Sequence, residues 1–579
     1  MLRICWCRGA ALILAASILA LAWGASARSI ATATTRVELT RLGDASSTAA
    51  LLATLGATVE VESGGRIQAR VPLSAVSTLR SASRLVRLEQ PGVFVPLQVQ
   101  SSGALIGAAA WARGGLTGRG QKIAVLDTDF LGYREALGGA LPAVVTTRSF
   151  RSDSTFEGTS DHGRRAAEIV HGIAPGAELY LVSFSTITEL SAAVDYLIAQ
   201  RIDVVSYSSG YIHNGPGDGT GSVDAIVGRA TGTGMLWAVA AGNWAQQHWS
   251  GTFRDDNRDA VHEFRPGLQQ LSHPFVAGDQ ITLSVRWDDV WGAACADYDL
   301  ELYAPNGALV RASRDLQNCS GNPVEVIRVT AADTGNYSAR VLRGSASVPR
   351  LLDVIFVGSP DRIAGVDVPV PGGSLGAPAD APGVVTVGAL ASASAPSEAL
   401  YSSRGPTTDG RTKPEMLAPV GVGADGVETF GGTSSAAPHV AAAIALLREA
   451  LPGVDRARIV SELQARGVAV PPAPDGTPSV RRLDLSSLDG IGPLLPRGAE
   501  AASLVGTVLP GASVAEVVYQ GPAGYPLRFL YRLTGDRDIG GAWMLGASGQ
   551  WRGYVAGAPS GANDFDRVSE GDSFFIVLR

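Results

Sequence analysis

Three short stretches carry residue types that can do chemistry together. In Gly431-Gly432-Thr433-Ser434-Ser435-Ala436-Ala437-Pro438-His439-Val440, a glycine pair and small hydroxyl residues open an alanine-rich apolar run that continues to Leu447. This pattern predicts a buried helix with Ser434 at its N-terminus, where unpaired N–H groups and the positive end of the dipole stabilise negative charge. Pro438 is expected in the first turn, where its missing N–H costs little, and Leu451-Pro452-Gly453 stops the helix. Lys122-Ile123-Ala124-Val125-Leu126 reads as a buried strand ending at Asp127, and Asp161-His162-Gly163 opens a short helix at His162. Hydroxyl, imidazole and carboxylate are the nucleophile, base and orienting group that acyl transfer needs. Each alone is weak, because a strand-end aspartate is more often a turn former and a helix-start histidine a polar end group.

The elements that must position these residues follow from the hydrophobic pattern. From Gly120, apolar strands alternate with helices, which predicts a mainly parallel sheet covered on both faces, with reactive groups at the C-terminal ends of strands. Ile202 to Tyr207 is one such strand and runs into Ser208-Ser209-Gly210; Trp237 to Ala241 is another and delivers Gly242-Asn243. Beyond Asn243 the pattern changes to half-buried strands at 281–287, 297–303, 308–312, 324–330, 336–342 and 352–357, with a hairpin signal at Asn306-Gly307. These form an antiparallel β-sandwich inserted at 246–372, after which α/β patterning resumes at Val384. Asp255, Asp256, Asn257 and Asp259 precede the sandwich and offer oxygen ligands to calcium, but Arg258 interrupts them and a solvated acidic loop is the simpler reading.

Both ends of the chain read as separate modules. Arg3 and Arg8 precede an apolar run from Ala10 to Trp23, followed by Ala25-Ser26-Ala27, the pattern of a cleaved secretion signal over 1–27. No membrane anchor is expected after its removal. Residues 28–100 contain strand, helix, two strands around Gly64-Gly65, helix and strand, a compact α/β module. From 488 to 579 a glycine-rich tail with Trp543, Trp551, Tyr554, Phe574 and Phe575 predicts a small β module whose rings fill its core. With 579 residues, 46% hydrophobic and 17% charged, the chain is long enough for several ordered domains; a net charge of -7 speaks against nucleic acid as a partner. Cys5 and Cys7 leave with the signal, so Cys295 and Cys319 remain and most simply form one disulfide in an oxidising compartment.

Taken as a set, Ile123 to Thr128, Asp161 to Gly163 with the Ala174-Pro175 turn, Ala241 to Asn243, and Gly432 to Val440 resemble the motifs of subtilisin-like serine proteases. The resemblance covers about residues 104–245 and 375–470, within a catalytic domain at 101–487 that the sandwich interrupts. It implies a subtilisin-like α/β fold and a secreted endopeptidase acting on protein or peptide substrates. Asp127, His162 and Ser434 become the catalytic triad, Asn243 the oxyanion-hole donor, and Ser208, Ser209 and Gly210 the edge on which an extended substrate pairs. No metal or cofactor is required. The N-terminal module resembles the family's propeptides, which assist folding and block the site until removed; a permanent N-terminal domain is the other reading. Its junction falls between Val95 and Ala110.

Two departures from the family pattern leave a second function open. Arg164 and Arg165 follow His162-Gly163 and oppose the helix dipole, with Glu168 placed to pair with each at i+4 and i+3. If they reach the cleft instead, they disfavour a charged His162 or select acidic substrate residues. Asp129 stands where the family commonly has glycine and calls for an altered turn. An exported binding protein that keeps the scaffold without catalysis is the alternative, and an esterase shares the same triad chemistry. Small residues at Ser209, Gly210 and Ala241 leave room for a sizeable substrate side chain.

Overall fold

The computed structural model describes residues 34–89, 94–96 and 106–488, apart from short stretches at 346–347, 359–363, 392–396, 421–429, 452 and 472–479, and most of 503–578. The expected leader with Cys5 and Cys7, Pro452 and much of the expected junction after Val95 lie outside the described residues. The chain gathers into two compact units, one of residues 1–93 with 149–155 and 184–196, the other of the remainder.

In the first unit, a four-stranded antiparallel sheet runs in the order Thr58–Ser63, Arg66–Pro72, Thr34–Arg41, Val86–Glu89. Two adjacent glycines with positive φ, Gly64 at 55° and Gly65 at 78°, make the tight hairpin the sequence signals. Helix Ala45–Thr54 starts where the Ser47 N–H donates to the Asp44 carboxylate at 2.8 Å. Leu39, Leu52, Ile67, Val71, Leu79 and Val86 close the core. Within the same unit, buried Glu189 accepts N–H bonds from Ser152 at 2.9 Å and Ser185 at 2.8 Å, and the Gln68 amide at 3.3 Å.

The second unit is built on a seven-stranded sheet in the order Met416–Ala418, Val385–Ala389, Leu236–Ala240, Val204–Tyr207, Lys122–Asp127, Glu178–Ser183, Thr146–Ser149. The first six strands pair in parallel, as the expected α/β class requires. Val204–Tyr207, Leu236–Ala240 and Val385–Ala389 are buried along their whole length, which explains their unbroken apolar sequences. Helix Thr433–Ala450 packs against all three of these strands and against helix His162–Ile173. Its alanines permit that approach while favouring the helix itself.

The inserted segment forms two four-stranded antiparallel sheets, ordered His248–Thr252, Leu351–Val357, Gln280–Trp287, Val324–Thr330 and Leu271–Phe275, Gly335–Arg343, Tyr298–Tyr303, Leu309–Ser313. Trp249, Phe275, Trp287, Tyr298 and Phe356 fill the space between them. Cys295 and Cys319 are bonded. Two strands escape the sequence pattern. His248–Thr252 is short and polar, and Leu271–Phe275 carries Pro274, tolerated because the strand lies at a sheet edge. The acidic loop before the sandwich uses its carboxylates internally: Asp255 accepts from the Asp259 and Ala260 N–H groups and from Arg343, and Asp259 from the Val261 N–H and Gln269. In the C-terminal five-stranded sheet the rings divide, contrary to expectation. Tyr554 and Phe574 are buried, while Trp551 and Phe575 are 55% and 36% exposed because they alternate to the outer face.

One buried charge cluster joins the sandwich to the α/β core. Asp353 pairs with both His248 and Arg286, and the Arg286 guanidinium also donates to the Gly215 carbonyl at 2.8 Å. Burial pushes the Asp353 carboxyl up, but His248 and Arg286 outweigh it and hold the group well below the usual carboxylate range. Arg286→Ala leaves that buried carboxylate with His248 as its remaining ion-pair partner among the described residues, so the sandwich is expected to lose about 3 kcal/mol of stability. Urea unfolding followed by tryptophan fluorescence checks this, with partial recovery expected in Arg286→Met combined with Asp353→Leu.

Candidate active site

Ser434 is the second residue of its helix and fully buried. Pro438 is the sixth helical residue, not a first-turn residue as the sequence suggests, so its missing N–H matters. The carbonyl it deprives, four residues back, is that of Ser434 itself. The Ser208 hydroxyl fills the vacancy, donating to the Ser434 carbonyl at 2.8 Å, and the Ser434 hydroxyl donates to the Ser208 carbonyl at 3.3 Å. A strand end and a helix start are thereby tied at the two residues the sequence singles out in them.

His162 opens its helix at the end of Lys122–Asp127, and its Nδ1–H donates to Asp127 Oδ2 at 2.5 Å. A carboxylate only accepts, so the neutral ring carries its proton on Nδ1 and leaves Nε2 as the basic nitrogen. Both side chains are almost wholly buried, and the other Asp127 oxygen accepts the Thr128 N–H at 2.8 Å. The imidazole stands edge-on to Phe430, four residues before Ser434, with ring centroids 5.2 Å apart. Gly163 permits the contact: a Cβ there would lie 2.7 Å from the Asp127 Cβ and 2.7 Å from the Asp129 carbonyl oxygen.

The departures beside His162 are absorbed by their neighbours. Arg164 donates to Glu168 at 2.5 Å, Asp161 at 2.8 Å and the Leu131 carbonyl at 2.9 Å. Arg165 pairs with Asp161 at 2.7 Å, one turn back; Asp161 is the residue just before the helix, reached by both arginines at once. Asp129 needs no left-handed backbone, and its carboxylate accepts the Thr159 N–H at 3.1 Å.

Asn243 follows strand Leu236–Ala240, and its Oδ1 accepts both the Thr433 N–H at 3.0 Å and the Thr433 hydroxyl at 3.1 Å. A backbone donor on Oδ1 settles the amide orientation and leaves Nδ2 as a donor beside Ser434. Gly432, at φ 79°, has no Cβ to collide with that amide, which would be 2.4 Å away. Ser208, Ser209 and Gly210 lie at the exit of Val204–Tyr207, and Ser209–Tyr211 is a short strand. The chain's own Phe94–Pro96 pairs antiparallel with it, Val95 opposite Gly210 and Pro96 opposite Ser209, and therefore runs toward Ser208.

Behind this edge, Tyr211 exchanges backbone bonds with Ala377, and the Trp244 indole, 1% exposed, lies against Gly210, one of the small residues expected to leave room. Position 244 follows the Gly242-Asn243 motif directly, so only its side-chain direction was missing from the sequence. Asp224 and Asp380 brace the same wall, Asp224 accepting the Gly221 N–H at 2.9 Å and Asp380 the Gly219 N–H at 3.2 Å. One oxygen of each is buried with no hydrogen-bond partner, and burial disfavours ionisation of both. Burial and the neighbouring Asp380 push Asp224 up to about 8, and burial also raises Asp380.

A profile of the subtilase family matches residues 118–263 and 324–482, more than half of the chain. The minor extracellular protease Epr of Bacillus subtilis (strain 168) is 31% identical over 150 residues, covering 23% of this chain and 21% of that protein. The chain thus matches about a fifth of that relative's length. The solved CspB protease of Clostridium perfringens matches with a TM-score of 0.48 at 17% identity, over 66% of this chain and 97% of that one.

Ser208→Ala orphans the buried Ser434 carbonyl and is expected to cost about 1–3 kcal/mol, measurable in urea unfolding, with Ser208→Thr recovering part of it. A second expectation concerns pH. The Asp224 carboxyl binds its proton more tightly folded than unfolded, so its contribution is fully favourable below about pH 4 and is lost as pH rises to about 8. Asp224→Asn removes that loss; its stability relative to the natural chain should climb across this window, and a constant difference would refute the raised Asp224 carboxyl.

Proposed function

The chain belongs to the subtilase family, and we propose that it is a secreted serine endopeptidase working through an acyl-enzyme. The observation that carries the reading is the buried Asp127–His162 pair set against the helix start that presents Ser434, with the Asn243 amide oriented by Thr433 beside it.

The Ser434 hydroxyl exchanges its long bond to the Ser208 carbonyl for the His162 Nε2 atom and attacks the substrate carbonyl carbon while Nε2 takes its proton. Asp127 keeps the imidazole in the productive tautomer and stabilises the imidazolium. The carbonyl oxygen becomes an oxyanion that the Asn243 Nδ2–H and the Ser434 N–H hold, the latter at the positive end of its helix. His162 then returns the proton to the leaving amine, and the same steps with water release the acid. No step calls for a metal or another cofactor.

Substrate enters as an added strand on Ser209–Tyr211, the edge that Phe94–Pro96 covers in this chain. That pairing supports the view that the module at 28–100 is a propeptide that blocks the edge until cleavage nearby. The alternative of a scaffold without chemistry drew on Arg164, Arg165 and Asp129, and each of these has local partners that account for it.

Fluorophosphonate labelling of the purified protein tests the reaction. Label on Ser434, absent in Ser434→Ala, is expected, together with a loss of about 10⁶ in kcat, the size found for the serine of a subtilisin. Asn243→Ala should lower kcat about 10²–10³-fold with little change in KM, a range carried over from the corresponding donor of a subtilisin. A folded, N-terminally trimmed protein that takes no label returns the chain to a binding role.

A further inference from the structure

We infer that the Trp244 indole closes the side-chain pocket beside Ser434 and restricts cleavage to peptide bonds that follow small residues, glycine, alanine or serine. The inference rests on the acyl-transfer reading and concerns the substrate class of that same site.

A peptide paired on Ser209–Tyr211 and running toward Ser208 brings the attacked carbonyl between Ser434 and the Asn243 amide. The side chain of that residue must enter the gap between the backbones at 208–211 and 240–243, which leave the sheet as neighbouring parallel strands. Gly376 and Ala377 close the far side, since Ala377 exchanges 2.8 Å and 2.9 Å backbone bonds with Tyr211. The six-membered ring of Trp244 occupies this gap. A Cβ on Gly210 would stand 2.9 Å from Trp244 Cη2, one on Gly376 2.6 Å from Cζ3, and one on Gly242 2.7 Å from Cε3.

Three walls thus lack side chains at the points where the ring touches them. The indole is buried, and its backbone N–H is fixed to the Ser403 hydroxyl at 3.0 Å. Without Trp244 the same walls enclose room for an aromatic or long aliphatic substrate side chain. With it, only a side chain of one or two heavy atoms fits without moving a packed ring.

Digestion of a peptide library by the natural full-length chain, Trp244→Ala and Trp244→Leu, with products identified by mass spectrometry, reads the pocket directly. The natural chain is expected to favour alanine over leucine or phenylalanine before the cut by at least about tenfold in kcat/KM. Trp244→Ala should reverse that order, and Trp244→Leu, which leaves a smaller void, should shift it part way should the alanine variant not fold. Equal cleavage after alanine and phenylalanine by the natural chain, or one profile in all the folded proteins, overturns the inference. Fluorophosphonate labelling of the same samples separates the two readings. Label without a change of profile sinks the pocket alone, and absence of label sinks the reaction and the pocket with it.

Discussion

The bond from the Ser208 hydroxyl to the Ser434 carbonyl is the constraint on which the centre depends. A proline at the sixth residue of a buried helix removes one N–H, and the carbonyl it leaves belongs to a buried residue. Such a group costs about 1–3 kcal/mol unless another donor arrives. Here the donor comes from a different element, the loop leaving strand Val204–Tyr207, so a local defect in the helix becomes a tertiary tie. Thr433, one residue earlier, makes the second tie, holding Asn243 through its N–H and hydroxyl and accepting the Gly242 N–H at 3.1 Å. Two consecutive residues at one helix start thus fix both neighbouring strand exits. Substrate edge, nucleophile and amide donor keep their spacing because short, buried side chains tie each to a backbone group of the next.

Charge is handled by the same economy of neighbours. Two arginines in a helix's first turn oppose its dipole, yet Asp161 sits at the preceding residue and takes both, so the net charge facing the dipole falls. The sandwich follows a similar rule at greater depth. Asp353 faces His248 and Arg286, and Arg286 reaches on to Gly215, in the loop that continues from Ser209–Tyr211. The desolvation of three charged or polar groups is offset only while all of them meet. The insertion is therefore anchored by a geometry that also fixes the loop behind the substrate edge.

Legibility in the sequence followed the range of the interactions involved. Asp127, His162, Asn243 and Ser434 were readable because each ends a strand or starts a helix, and those boundaries are written in local apolar runs, glycines and small hydroxyl residues. The parallel sheet was readable for the same reason, its strands being apolar without interruption where helices cover both faces. The depth of Pro438 in its helix was not, because the start at Thr433 is set by Asn243 and Gly242 from another strand, not by a local cap. Asp161 as a partner of both arginines escaped the sequence because a count of spacings within the helix omits the residue just before it. The ring beside Gly210 was not legible, because small residues mark where a wall is thin, while the side chain that lies against it comes from position 244.

The separation between these two kinds of information has a physical basis. The reacting groups are held by directional hydrogen bonds between named partners, whereas the adjoining cavity is filled by van der Waals contact, which asks for fit and not for a particular donor or acceptor. Gly210, Gly242 and Gly376 serve both purposes at once: their backbones form the walls, and their missing side chains admit the indole. A methyl group at any one of the three would stand 2.6–2.9 Å from a ring carbon, so the ring or the backbone must shift. The three glycines are therefore required for as long as the indole is present, whereas the Asp127, His162 and Ser434 constellation makes no demand on what fills the pocket.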